Sequence, residues 1–234
     1  KEENVSSGYS LRFMRNYDIR ILRPIISVPK IQERGKEVKI WVRNPMAIEN
    51  TSWEAALYKE YSDNYTEEHD MEIIDVEKAK DKRGQNNWYL TAVVPQDARE
   101  ELYDLRVTDG NERGRSIQSV DVVDKIDDRF NFVQVTDTHI GYVDDGEPVA
   151  VKRTKQFIKE MNLIQPDFIV HTGDASDKEE FISGQNPDQE DQDEVFYELM
   201  QELEVPIYVI PGNHDYSYTS LTGDPGPETS IKSY

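Results

Sequence analysis

Residues 205–215 read Val205-Pro206-Ile207-Tyr208-Val209-Ile210-Pro211-Gly212-Asn213-His214-Asp215. An apolar run of strand length, closed by Pro-Gly and followed by Asn, His and Asp, is the pattern of a buried strand that delivers polar groups at its carboxyl end. Two earlier stretches repeat it. Phe132-Val133-Gln134-Val135 leads into Asp137-Thr138-His139, and Phe168-Ile169-Val170 leads towards Gly173-Asp174. Pro148 opens a predicted helix that runs to Ile164, with Phe157, Ile158, Met161 and Ile164 at helical spacing and Pro166 as its stop. A second predicted helix, from Asp191 to Leu203, presents Val195, Phe196, Leu199, Met200 and Leu203 on one side, after a loop at 183–189. The order βαβαβ predicts a parallel sheet with right-handed crossovers, and ligands of such sheets bind beyond the carboxyl ends of the strands. All three polar motifs fall there.

Upstream the periodicity changes to two. Val38, Ile40 and Val42 alternate with Lys39, Trp41 and Arg43, and Tyr103, Leu105 and Val107 alternate with Asp104, Arg106 and Thr108. With Ile73-Ile74, 88–94 and 117–123, and with turn signals such as Asn44-Pro45 and Asp109-Gly110-Asn111, this predicts about seven short strands. Residues 53–61 fit helix or strand equally. The expected organisation is an N-terminal extension (1–17), an all-β immunoglobulin-like sandwich (18–126) and an α/β unit (127–234).

Composition narrows the function. The 234 residues carry a formal net charge of −20, which argues against partners held by general electrostatics, such as long nucleic-acid tracts or anionic membranes. The same field repels phosphorylated substrates, so a phosphate site here needs a local positive charge, which bound cations supply. No Cys is present, so disulfides, thiolate metal sites and Cys nucleophiles are excluded. No run approaches the ~20 apolar residues of a membrane span. Asn4-Val5-Ser6, Asn50-Thr51-Ser52 and Asn64-Tyr65-Thr66 match the glycosylation pattern and lean towards an extracytoplasmic or secreted protein; a cytoplasmic location is the alternative.

The three motifs can build a metal site. Asp-x-His at a strand end lets a carboxylate and an imidazole bind one cation, the residue between them pointing away if the alternation of the strand continues. Asp174 can bridge two cations, and Asn213 offers a carbonyl oxygen. Mixed N/O ligation suits Mn, Fe, Zn or similar ions rather than Ca. Two such ions ~3.5–4 Å apart can generate hydroxide and clamp a phosphoryl group.

In this order and spacing the motifs resemble the calcineurin-like metallophosphoesterase superfamily, over about residues 130–234. The resemblance implies a hydrolase of phosphoric esters with a dinuclear centre of divalent or trivalent ions and a bridging hydroxide nucleophile. It implies Asp137 and His139 on the first metal, Asp174 bridging, Asn213 on the second, and His214 binding phosphate or protonating the leaving group. A β-sandwich ahead of such a domain is similar to purple acid phosphatases, but Asp177 and His139 stand where those enzymes have Tyr and Gly. The later His motifs of the family have no counterpart among the four His of this sequence. The α/β unit is therefore expected to be the first half of the domain, incomplete at its C-terminus, and inactive alone. His171, Asp215 and Tyr216 are candidates for the substrate cleft, although a satisfied strand-end residue is the favoured reading of His171 and a loop tie that of Asp215. The expected partner is a small phosphorylated substrate, and self-association stays open. The rival readings are a surface binding or adhesion protein on a degenerate scaffold, and a nucleotidase or nuclease using the same metals.

Overall fold

The computed structural model describes residues 4–5, 19–49, 51–62, 65–80, 84, 86–177 and 190–215. Tyr216, Asn50, Asn64 and the 183–189 loop lie outside the described residues. Two compact units divide the chain, Lys1–Arg129 and Phe130–Tyr234.

The first unit is all β. Its strands are β1 (Asn4–Val5), β2 (Arg20–Arg23), β3 (Lys30–Glu33), β4 (Glu37–Arg43), β5 (Glu54–Ser62), β6 (Tyr65–Lys80), β7 (Asn86–Val93), β8 (Glu101–Thr108) and β9 (Arg113–Val123). Alternation places Val38, Ile40 and Val42 of β4 inside, opposite Trp88, Leu90 and Ala92 of β7. Residues 54–58, ambiguous by pattern, are strand because they pair antiparallel with β8 on one side and β6 on the other. Leu57 thereby enters the core with no exposed surface, a burial worth roughly 2 kcal/mol.

In place of the expected separate sheets, the strands join into one nine-stranded path, ordered β1-β9-β8-β5-β6-β7-β4-β2 with β3 also on β9, whose two halves meet at β6 and share one core. The cause is β6. Its first half pairs with β5 and its second half with β7, so the ladder passes through it without a break. The sheet curls around a single core that includes Ile40, Leu57, Leu90, Leu105 and Val120. A bulge between Tyr103 and Leu105 turns Asp104 inward. Its carboxylate accepts from Arg115 Nε at 2.7 Å and from the backbone N–H of Gln118 at 2.7 Å, where Gln118 has a φ of 44°.

In the second unit the elements follow as β10 (Phe132–Val135), α1 (Val149–Ile164), β11 (Phe168–His171), α2 (Glu190–Met200) and β12 (Ile207–Val209). The three strands are parallel, with β11 central. Val135, His171 and Val209 stand in register, so the loops that follow all leave from the same end. α1 buries Ala150, Thr154, Ile158 and Met161, while Ile164, expected on the apolar side, is exposed at the last turn. Gln165 ends the helix in a left-handed conformation and its N–H bonds Met161 O at 2.8 Å. Pro166, which cannot continue the ladder, follows. α2 buries Phe196, Tyr197, Leu199 and Met200. No described helix is long and apolar enough to cross a membrane.

Candidate metal centre and cavity

The loop after β10 is bound to the loop after β11 by its backbone. Asp137 N donates to Gly173 O at 3.0 Å, His139 N to Asp174 O at 3.0 Å and Ile140 N to Ala175 O at 2.9 Å. Asp137, His139 and Asp174 have φ of 57°, 45° and 56°. The left-handed region costs a residue with a Cβ on the order of 1 kcal/mol, and Asp and His are among the types that visit it most readily. This corrects the expectation that extended alternation sets Asp137 and His139 side by side. The strand has ended before them, and the turned backbone aims them. Thr138, between them, turns its hydroxyl to the neighbouring loop and to the buried His171. That hydroxyl donates to Ala175 O at 3.1 Å and meets His171 Nε2 at 3.0 Å.

Asp215 closes the arrangement from the third loop. It is 4% exposed. Oδ1 accepts from Ala175 N (2.9 Å), Ser176 N (3.1 Å) and Ser176 Oγ (3.3 Å), and Oδ2 from Asp174 N (2.9 Å) and Gly212 N (2.7 Å). The Asp215 carboxylate is thus spent on holding two loops together and is not a cleft surface. Glycine is required where they meet, because a Cβ on Gly173 would lie 2.5 Å from Gly212 Cα. His214 follows with its backbone N–H on Asp174 Oδ1 at 2.9 Å.

The side chains gather into two overlapping groups. Ligating atoms of Asp137, His139 and Asp174 all lie within 4.8 Å of one another, as do those of His139, Asp177 and His214. His139 faces both, with Nε2 at 3.5 Å from Asp137 Oδ1 and Nδ1 at 3.2 Å from Asp177 Oδ1. The His139 and His214 rings meet edge to face at 4.8 Å. Among the described residues, His139 Nδ1 and His214 Nδ1 are buried without an aligned hydrogen bond. Buried ring nitrogens left open beside two or more carboxylates are the donor set of a cation site with N/O ligation, so the residues fit the metal expected of them. The Thr136 side chain, with help from His139, holds the Asp137 carboxyl below its ordinary range, and so in its ligating form.

His171 is not in the cleft. It has no exposed surface, packs against Phe196 at 5.1 Å, and accepts from Gly173 N at Nδ1 (3.2 Å). Nε2 therefore carries the proton that it donates to Thr138. Burial pushes its imidazole down to about 4, against the opposing charges of Asp215, Asp137 and Asp174. Asn213 is exposed on its loop and does not line the cavity.

That cavity measures about 640 Å³. Asp137, His139, Asp177 and His214 line one side, and Ala150, Arg153 and Phe157 of α1 contribute to the rest with Tyr142. Sequence reasoning missed Asp177 and Arg153 as site residues. Asp177 lies three positions beyond Asp174, and its loop is pinned by the Gln192 side chain of α2, which accepts from Asp177 N at 3.1 Å.

These groups stand on the part of the chain that known proteins share. Residues 130–232 match the family model of the calcineurin-like phosphoesterases. Among curated relatives, the DNA double-strand break repair protein Mre11 of Methanococcus maripaludis is 32% identical over 101 residues, 41% of this chain and 26% of that protein. A probable glycerophosphodiester phosphodiesterase GpdQ of Arcobacter nitrofigilis is 36% identical over 88 residues, 36% of this chain and 29% of that protein. The chain thus spans less than a third of the length of either.

Proposed function

We propose that this chain contributes the site of a metal-dependent phosphoric ester hydrolase acting on a small phosphorylated substrate. The observation that carries the reading is the convergence of Asp137, His139 and Asp174 within 4.8 Å, inside the stretch that matches the phosphoesterases. Asp137, His139 and Asp174 would hold one cation, and His139, Asp177 and His214 border a second position. Asn213 would reach that second position by a turn of its exposed loop. Ions held there supply Lewis acidity and a nucleophilic water at neutral pH.

The chain's own groups do the rest. The bond from His214 N–H to Asp174 Oδ1 fixes the backbone from which the His214 imidazole reaches the cavity. That ring can bind a phosphate oxygen, or hand a proton to the departing alcohol. His171 and Thr138 hold the two loops in register without touching substrate. Likeness to a DNA repair protein favours a second reading, a nuclease on the same groups, against which the net charge of −20 speaks for long tracts but not for nucleotides. The test is titration of the protein with Mn²⁺ by calorimetry, together with hydrolysis of an aryl phosphate. Wild type should bind Mn²⁺, and Asp174→Ala should lose that binding while keeping its helical signal. Equal Mn²⁺ binding by wild type and variant, with no turnover of mono- or diesters, sinks the reading.

A further inference from the structure

We propose that Arg153 selects for a doubly charged phosphoryl group, so that the substrate is a phosphate monoester of an apolar or aromatic alcohol; this rests on the phosphoester reading above. Among the described residues, Arg153 is the one Lys or Arg that lines the cavity. It sits on α1, on the wall that also presents Ala150 and Phe157. Its neighbour Lys152 is paired with Glu147, whereas the Arg153 guanidinium has no ion pair or hydrogen bond with any described residue. In a chain of net charge −20 a surface arginine has many carboxylates available to it. One with no partner among the described residues, on the wall of a cavity containing Asp137, Asp177 and two imidazoles, is placed for an anion that enters that cavity.

The guanidinium fork matches two oxygens of one phosphoryl group, a geometry that an ammonium lacks. A monoester carries close to two negative charges at neutral pH and a diester one. A cation beyond those that hold the phosphoryl group itself therefore discriminates by charge. Phe157, one turn further along α1, and Tyr142 give the cavity its aromatic wall, which suits an apolar alcohol and not a second charged group.

The probes are phenylphosphonate at pH 8, a dianion, and its monomethyl ester, a monoanion, titrated calorimetrically into the Mn²⁺-treated protein. Wild type should bind the dianion at least tenfold more tightly. Arg153→Met should lose about tenfold on the dianion, the worth of one exposed charge-assisted contact, and less than threefold on the monomethyl ester. Arg153→Lys should retain part of the preference. Arg153 is exposed on a helix, so both variants should keep the wild-type ellipticity at 222 nm. Equal losses on both probes, no loss on either, or a wild-type preference for the monoanion overturns the selection while leaving the phosphoester reading in place. A wild-type protein that binds neither probe, with or without Mn²⁺, overturns both.

Discussion

Replacing Asp215 by Asn tests the clamp at the heart of the site. The carboxylate accepts five hydrogen bonds, three on Oδ1 and two on Oδ2. An amide of the same shape keeps one oxygen. If that oxygen serves Ala175 and Ser176, the amide nitrogen is turned towards Asp174 N and Gly212 N, and two donors face two donors. Each lost bond to a charged acceptor is worth about 1.5 kcal/mol at the low end, so the variant should be destabilised by about 3 kcal/mol or more. Both described helices lie in residues 130–234, so ellipticity at 222 nm during urea unfolding follows this unit. With a slope of roughly 1.5 kcal/mol per M, the midpoint should fall by about 2 M. The three tryptophans, Trp41, Trp53 and Trp88, all lie in residues 1–129, and their fluorescence reports the other unit in the same samples. A midpoint shift below about 0.5 M at 222 nm would refute the reasoning, because the carboxylate could then not be the acceptor that joins the loops.

Gly212→Ala should cost about 2 kcal/mol and weaken Mn²⁺ binding, since a Cβ there overlaps Asp174 N and Oδ1; unchanged calorimetry and urea midpoint would contradict the close approach. His171 gives a pH prediction. Its folded value of about 4 lies below the free value of 6.5, so its contribution is complete above pH 6.5 and is lost as pH falls from there towards 4, to a limit of about 3 kcal/mol. Urea midpoints at pH 7, 6 and 5 should therefore fall more steeply for wild type than for His171→Gln, and parallel slopes would count against neutral burial. In the first unit, Asp104→Ala removes the carboxylate that accepts from Arg115 and from the Gln118 N–H and should cost about 3 kcal/mol, read as a shift in the tryptophan transition.

Much of this was legible from sequence where one pattern had one physical cause. The alternation through β4 marks a strand buried on one face, and the apolar runs before Asp137, Gly173 and Gly212 mark the parallel strands that carry the site. Where two causes competed, the pattern went quiet. β5 reads Glu-Ala-Ala-Leu-Tyr-Lys-Glu, which suits a helix as well as a strand, and pairing on both sides decided it. The length of β6 was hidden because the strand is exposed along most of its course and bulged between Ile73 and Asp75. The left-handed turns at Asp137 and His139 follow from hydrogen bonds to residues 36 positions or so away in sequence, which no local pattern encodes. Arg153 depended on the rotational phase of α1 against the loops, a quantity fixed only by packing.

The clamp formed by Asp215 has a consequence for the order of assembly. Asp174 and Asp215 are 41 positions apart, and the bond between them cannot form until the chain has passed through α2 and β12. Closing a span of that length is an entropic cost met before any local reward. The clamp on the loop bearing Asp174 therefore depends on the whole span from Asp174 to Asp215 being in place. A cation held by Asp174 should accordingly stabilise that whole span and raise the urea midpoint at 222 nm by mass action.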